Sequence, residues 1–146
     1  ALLPTALVVT PNIPEAEALT GIRITSLEAA RTAARQLHDE TGVAVIVKGG
    51  HATGAEVVDL LFDGTATYEF RTPRIDTRNT HGTGCTFASA VAANLALGHP
   101  LVEAAGRAQA YVAGAIRHAL AIGHGHGPLD HFWQWRDVTG NHPSNT

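Results

Sequence analysis

Val43-Ala44-Val45-Ile46-Val47-Lys48-Gly49-Gly50-His51 is a run of five apolar residues closed by a lysine and two glycines. An uninterrupted, β-branched run of this length reads as a strand buried on both faces, as in a parallel sheet covered by helices. It puts the chain in the α/β class. Upstream, Ser26 suits a helix N-cap, Glu28 adds charge of the right sign in the first turn, and Gly42 suits the C-terminal cap. The spacing between them predicts a helix to about Glu40 with Leu27, Ala30, Ala34 and Leu37 on one face. Earlier still, Leu7-Val8-Val9 reads as a short buried strand ending at Thr10-Pro11-Asn12, and Pro14 opens a short helix over Glu15 to Leu19 that stops at Gly21.

Downstream, Glu56 to Phe62, a turn at Asp63-Gly64 and Thr67 to Arg71 predict an antiparallel hairpin. Cys85 to Leu97 then reads as a helix of small apolar residues capped by Gly98. A long helix is expected from about Leu101 to Leu120, with a stripe of Leu101, Ala105, Ala108, Val112, Ala115 and Ala119. Gly123 to Gly127 breaks it, and a last short helix holds Phe132, Trp133 and Trp135, with the tryptophans anchoring the chain end. Residues 1–138 are expected to form one α/β layer system, and 139–146 a disordered tail.

At 146 residues and 45% apolar, the chain can bury the core of one domain. Ten basic residues (one lysine, nine arginines) against thirteen acidic ones give a net charge of −3. No basic run is present, which argues against nucleic acid as a partner. No apolar run is long enough for a membrane span, and no signal peptide opens the sequence. The single Cys fits a reducing, cytoplasmic compartment. The absence of Met and the entry directly before a strand are expected of a segment of a longer protein.

Asp76-Thr77-Arg78-Asn79-Thr80-His81-Gly82-Thr83-Gly84-Cys85 is the strongest candidate for chemistry. A Gly-x-Gly turn feeding a helix leaves backbone N–H groups unpaired at the positive end of the helix dipole, a place for a phosphate or an oxyanion. The third glycine of a dinucleotide fingerprint is absent, and no Lys-Ser/Thr follows as in a Walker A loop. A tight loop-to-helix turn is an equal reading. Cys85, in the first turn, could act as a base or a nucleophile, or be a small buried hydrophobe. Asn12 and Glu15, three apart after a strand, could reach a hydrated Mg²⁺ or the phosphates it carries. A capping box is the better reading of that pair from spacing alone. Lys48 follows a buried strand, where α/β sheets place their ligands, so it could meet a phosphate or be a solvated loop lysine. His124, Gly125 and His126 with His131 invite a zinc reading, but the flanking glycines make poor ligand platforms.

Several stretches occur together and in order. They are Thr10-Pro11-Asn12 with Glu15-Ala16-Glu17 and Leu19-Thr20-Gly21; Val47 to His51; Asp76-Thr77 with Thr80 to Thr86; and Gly127-Pro128-Leu129-Asp130-His131. Together they resemble the hydroxymethylpyrimidine/phosphomethylpyrimidine kinases, the thiamin-pathway members of the ribokinase-like superfamily. The resemblance implies the C-terminal, nucleotide-binding portion of a three-layer αβα sandwich. It implies ATP-dependent phosphorylation of 4-amino-5-hydroxymethyl-2-methylpyrimidine and then of its monophosphate, with ATP and Mg²⁺. Gly82, Thr83, Gly84 and Cys85 would form the anion hole, with Cys85 taking the hydroxymethyl proton. Asn12 and Glu15 would hold Mg²⁺ and phosphates. Lys48, Thr80 and His81 would lie at the nucleotide, and the two helices after the anion hole would flank the adenine. The family's N-terminal half, which carries the pyrimidine pocket, has no counterpart here, so self-association or partnership with that half is expected. The alternatives are a pyridoxal kinase-like enzyme, a nucleotide-binding segment inactive alone, and an acyl-transfer enzyme using Cys85 and His81.

Overall fold

The computed structural model describes residues 3–49, 54–77, 82–119 and 127–135. They fall into two compact units divided between Arg74 and Ile75. The first begins with a 3₁₀ turn at Leu3–Thr5, followed by strand β1 (Val8–Val9), helices α1 (Ile13–Thr20) and α2 (Leu27–Thr41), and strands β2 (Ala44–Val47), β3 (Glu56–Phe62) and β4 (Thr67–Pro73). The strands form one sheet in the order β1-β2-β3-β4. β2 runs parallel to β1 and antiparallel to β3, and β3 pairs with β4 along its whole length, from Glu56↔Pro73 to Phe62↔Thr67. The apolar run at 44–47 is therefore the hinge of a mixed sheet, with a parallel neighbour on one side and the expected hairpin on the other.

The helices form where the capping residues dictate. Ser26 is extended and accepts a hydrogen bond from the Ala29 N–H at 3.1 Å, and Gly42 closes α2 at φ 73. Only a residue without a Cβ enters that left-handed region cheaply, and its N–H then donates to the His38 carbonyl at 2.7 Å. α1 and α2 cover one face of the sheet. Ala16, Ala33, Ala34 and Leu37 meet Val45, Val47, Leu60 and Phe62 there, so alanines let the helices lie close on the strands. Ile46 and Leu61, on the opposite face, are also fully buried. In the hairpin, Asp63 accepts from the N–H groups of Thr65 and Ala66 at 2.8 and 2.7 Å. Those bonds, Ala66 first, hold its carboxyl below the usual carboxylate range.

The second unit contains α3 (Thr83–Ala96) and α4 (Leu101–Arg117), packed against each other. α3 starts two residues before the predicted Cys85 because Gly82 itself serves as the N-cap at φ 85. The predicted stripe of α4 needs correction. Ala105, Ala108 and Ala115 are buried as expected, but Ala104, Gln109, Ala113 and Gly114 are buried with them. Leu101, Val112 and Ala119 are only half-buried. At Gly114 a tryptophan ring lies directly on the helix backbone, which leaves no room for a side chain there.

Candidate functional site

The first group of candidate residues gathers at the carboxyl ends of β1 and β2. Beyond the paired strand residues, Asn12 and Lys48 form one further parallel bridge, and the Lys48 N–H donates to the Pro11 carbonyl at 2.9 Å. The chain then turns into α1 through a complete capping box. The Glu15 N–H donates to Asn12 Oδ1 at 2.8 Å, and the Asn12 N–H donates to Glu15 Oε2 at 2.8 Å. The capping reading of this pair is therefore correct. It also leaves chemistry available: Glu15 Oε1 has no partner among the described residues, and an amide oxygen has a second lone pair. Lys48 is half-buried, and its ammonium makes no hydrogen bond or ion pair among the described residues.

A residue that sequence reasoning missed shapes this end of β2. Asp59, in the middle of β3, is 6% exposed and accepts from the Gly49 N–H at 2.8 Å. A carboxylate inside the apolar run Val57-Val58-Asp59-Leu60-Leu61 was the signal that could have found it, because a buried charge needs donors close by.

The second group stands at the start of α3. No side chain caps this helix, so the N–H groups of Thr83, Gly84 and Cys85 have no intrahelical acceptor. The first bonds to close are the Thr86 N–H and the Thr86 hydroxyl, both onto the Gly82 carbonyl, at 2.9 and 2.8 Å. Cys85 is exposed, which removes the buried-hydrophobe reading. Thr80 and His81 lie outside the described residues.

The same unit carries a cleft of about 710 Å³ lined by residues of α3, α4 and the 131–134 turn, among them Cys85, Thr86, Asn94, Tyr111 and Trp133. The turn is fastened to α4 at several points. The Tyr111 hydroxyl donates to the His131 carbonyl at 2.8 Å, and the Asp130 N–H donates to the Ala115 carbonyl at 3.1 Å. Trp133 stacks on His118 with centroids 5.1 Å apart and lies over Gly114. Trp133 is thus the expected anchor, whereas Trp135 is 71% exposed beside Phe132. Of the histidines read for zinc, His124 and His126 lie outside the described residues and His131 is exposed. Among the described residues, no group of three or more His, Cys, Asp or Glu could hold a metal.

Comparison with known proteins gives this arrangement its context. The family model for phosphomethylpyrimidine kinase matches residues 1–130. The chain is 54% identical over 137 residues to the thiamine biosynthesis bifunctional protein ThiED of Geobacter sulfurreducens, covering 94% of this chain and 28% of that protein. It is 50% identical to the hydroxymethylpyrimidine/phosphomethylpyrimidine kinase of Rhizobium meliloti, covering 92% of this chain and 52% of the relative. It therefore spans about half, or less, of the length of the curated relatives it matches. Among solved structures, the pyridoxal kinase from Staphylococcus aureus in complex with AMP-PCP superposes with a TM-score of 0.88 at 39% identity, over 92% of this chain and 50% of that one. The ADP complex of Bacillus subtilis pyridoxal kinase gives a TM-score of 0.86 at 34% identity, over 92% and 53%. The fold is ribokinase-like α/β, and the chain belongs to the phosphomethylpyrimidine kinase family.

Proposed function

We propose that this chain contributes the Mg-ATP site, the anion hole and the proton acceptor of a cytoplasmic kinase. Its substrates would be 4-amino-5-hydroxymethyl-2-methylpyrimidine and then its monophosphate. The observation that carries the reading is the start of α3, where an exposed thiol stands beside three uncapped N–H groups. The N–H groups of Thr83, Gly84 and Cys85 receive the charge that develops on the transferring phosphoryl oxygens. Cys85 takes the proton of the attacking hydroxymethyl group, and no covalent enzyme intermediate forms. Lys48 offers a point charge to the nucleotide phosphates. Thr80 and His81 are assigned to the nucleotide as well.

The donor set at Asn12 and Glu15 fits Mg²⁺ of the kind that keeps most of its waters and borrows phosphate oxygens, since one carboxylate oxygen and one amide lone pair remain outside the capping box. When bound there, the ion neutralises charge on the phosphates.

Pyrimidine is favoured over pyridoxal because the pyrimidine kinase relatives reach 50% identity, against 39% for the pyridoxal kinase of Staphylococcus aureus. A covering partner, either the part of the relatives that this chain does not match or a second copy, is supported by α3. It consists mostly of small and apolar residues, yet only Phe87 and Val91 are buried.

The test is phosphoryl transfer from ATP to hydroxymethylpyrimidine and to pyridoxal in parallel. It is run with the chain alone and supplemented with the unmatched part of a relative. Cys85→Ser is expected to lower turnover about a hundredfold or more while ADP affinity stays within about twofold. Intact turnover in that variant would remove Cys85 as the base, and preference for pyridoxal would reverse the substrate assignment.

A further inference from the structure

We propose that Asp59 is the positioning residue for the Lys48-Gly49 end of β2, setting where Lys48 meets the phosphates of a nucleotide. The inference rests on the assignment of Lys48 given above. The ladder between β2 and β3 runs from Val45↔Phe62 to Val47↔Leu60. Two more steps in that register would pair Lys48 with Asp59 and then Gly49 with Val58. On its β1 side the strand keeps its register: the Lys48 N–H donates to the Pro11 carbonyl and Lys48 bridges Asn12, in step with Val8↔Ala44 and Val9↔Val45. On its β3 side it departs. The Gly49 N–H, which a continued strand would give to backbone, goes to the Asp59 carboxylate at 2.8 Å.

Gly49 is also held sterically. A Cβ added there would stand 2.0 Å from the Val58 carbonyl oxygen, so the glycine backbone lies flat on β3. An N–H bonded to an ionised acceptor is among the stronger hydrogen bonds of a folded chain. Lys48 is therefore fixed on both sides, by Pro11 before it and by the clamped Gly49 after it. A lysine is a point charge on a flexible stem, and its backbone position decides which atoms that stem can serve.

The experiment is calorimetric titration of the chain with AMP-PCP in Mg²⁺, and with adenosine, which lacks phosphates. Asp59→Val removes the acceptor and keeps a strand-forming shape, while Asp59→Asn keeps the acceptor. Asp59→Val and Lys48→Gln are each expected to weaken AMP-PCP roughly tenfold and leave adenosine unchanged, with the double variant no weaker than Lys48→Gln by more than about twofold. Asp59→Asn should stay within about threefold of the unsubstituted chain.

Equal loss of adenosine and AMP-PCP in Asp59→Val, or full additivity with Lys48→Gln, overturns the positioning role. Loss in Lys48→Gln with none in Asp59→Val overturns it while the Lys48 assignment stands. No effect of Lys48→Gln on AMP-PCP, or no binding by the unsubstituted chain, refutes that assignment and this inference together. If Asp59→Val does not fold, amide exchange at Gly49 in Asp59→Ala decides. A released amide with weakened AMP-PCP supports the role, and a released amide with unchanged AMP-PCP, or an amide that stays protected, overturns it.

Discussion

Replacing Gly114 by Ala tests the packing that closes one side of the second unit. In an ordinary helix interior this change gains about 1 kcal/mol from propensity. Here the added Cβ would stand 2.1 Å from Cζ2 and 2.3 Å from Cε2 of Trp133. Carbon atoms settle at about 3.5–4.0 Å, so the ring would have to retreat by roughly 1.4 Å. It cannot do so freely. It is stacked on His118 at an interplanar angle of 9°, and the preceding turn is bonded to α4 through Tyr111 and Ala115. Overpacking of this kind costs about 1–3 kcal/mol, and losing the ring stack adds about 0.5–1.5 kcal/mol. Set against the propensity gain, the net is a destabilisation of about 0.5–3.5 kcal/mol, or a fall in Tm of roughly 2–14 °C.

The two tryptophans, Trp133 and Trp135, both lie in this unit, so thermal unfolding followed by intrinsic fluorescence reports on it directly, with far-ultraviolet circular dichroism as the second probe. The decisive control is the same substitution in a Trp133→Ala background. With the ring gone, Gly114→Ala should become stabilising by about 0.5–1 kcal/mol. A rise in Tm for Gly114→Ala in the unsubstituted chain, or the same sign in both backgrounds, would refute the packing argument.

Asn12→Ala removes the side-chain half of the capping box, leaving the backbone N–H of residue 12 on Glu15, and is expected to cost about 1 kcal/mol in urea unfolding, whereas Asn12→Ser should recover most of it. Glu69 is held below the usual carboxylate range by Arg71 first and Arg31 second. Because its folded value lies below its unfolded one, the stabilisation is present above the unfolded pKa and fades as pH falls through the folded one. Glu69→Gln should therefore lower Tm by no more than a few degrees at neutral pH, with the difference vanishing in acid; a difference that persists there would exclude the ion pairs as its source. The single, exposed thiol of Cys85 should react with a disulfide reagent at one equivalent per native chain, and saturating AMP-PCP should slow that reaction. Slow labelling of the native chain would contradict the exposure of α3's first turn.

Local chemistry made much of this protein legible. The caps at Ser26, Gly21 and Gly42, the hairpin turn at Asp63-Gly64 and the opening of α1 at Asn12 are each decided by residues within four positions of one another. Short-range signals of this kind survive reading in one dimension. The stripe of α4 was less legible, since Leu101 and Val112 look like core residues while Gly114 looks like a flaw. Only the arrival of Trp133 from nineteen residues away gives Gly114 its place.

The candidate site divides in the same way. The order of its motifs could be read directly, and so could a helix start left open by a Gly-x-Gly turn, although the helix begins at Thr83 with Gly82 as its cap and not at Cys85. What the tertiary structure decided was the role of groups whose partners are distant along the chain. Asn12 and Lys48 become neighbours only because β1 and β2 run parallel, and Asp59 meets Gly49 only because β3 returns antiparallel beside them. By itself the sequence determined the elements, their caps and the family. Which residue fastens which was left to strand pairing, because a hydrogen bond between residues ten or thirty-seven apart exists only once the sheet has formed.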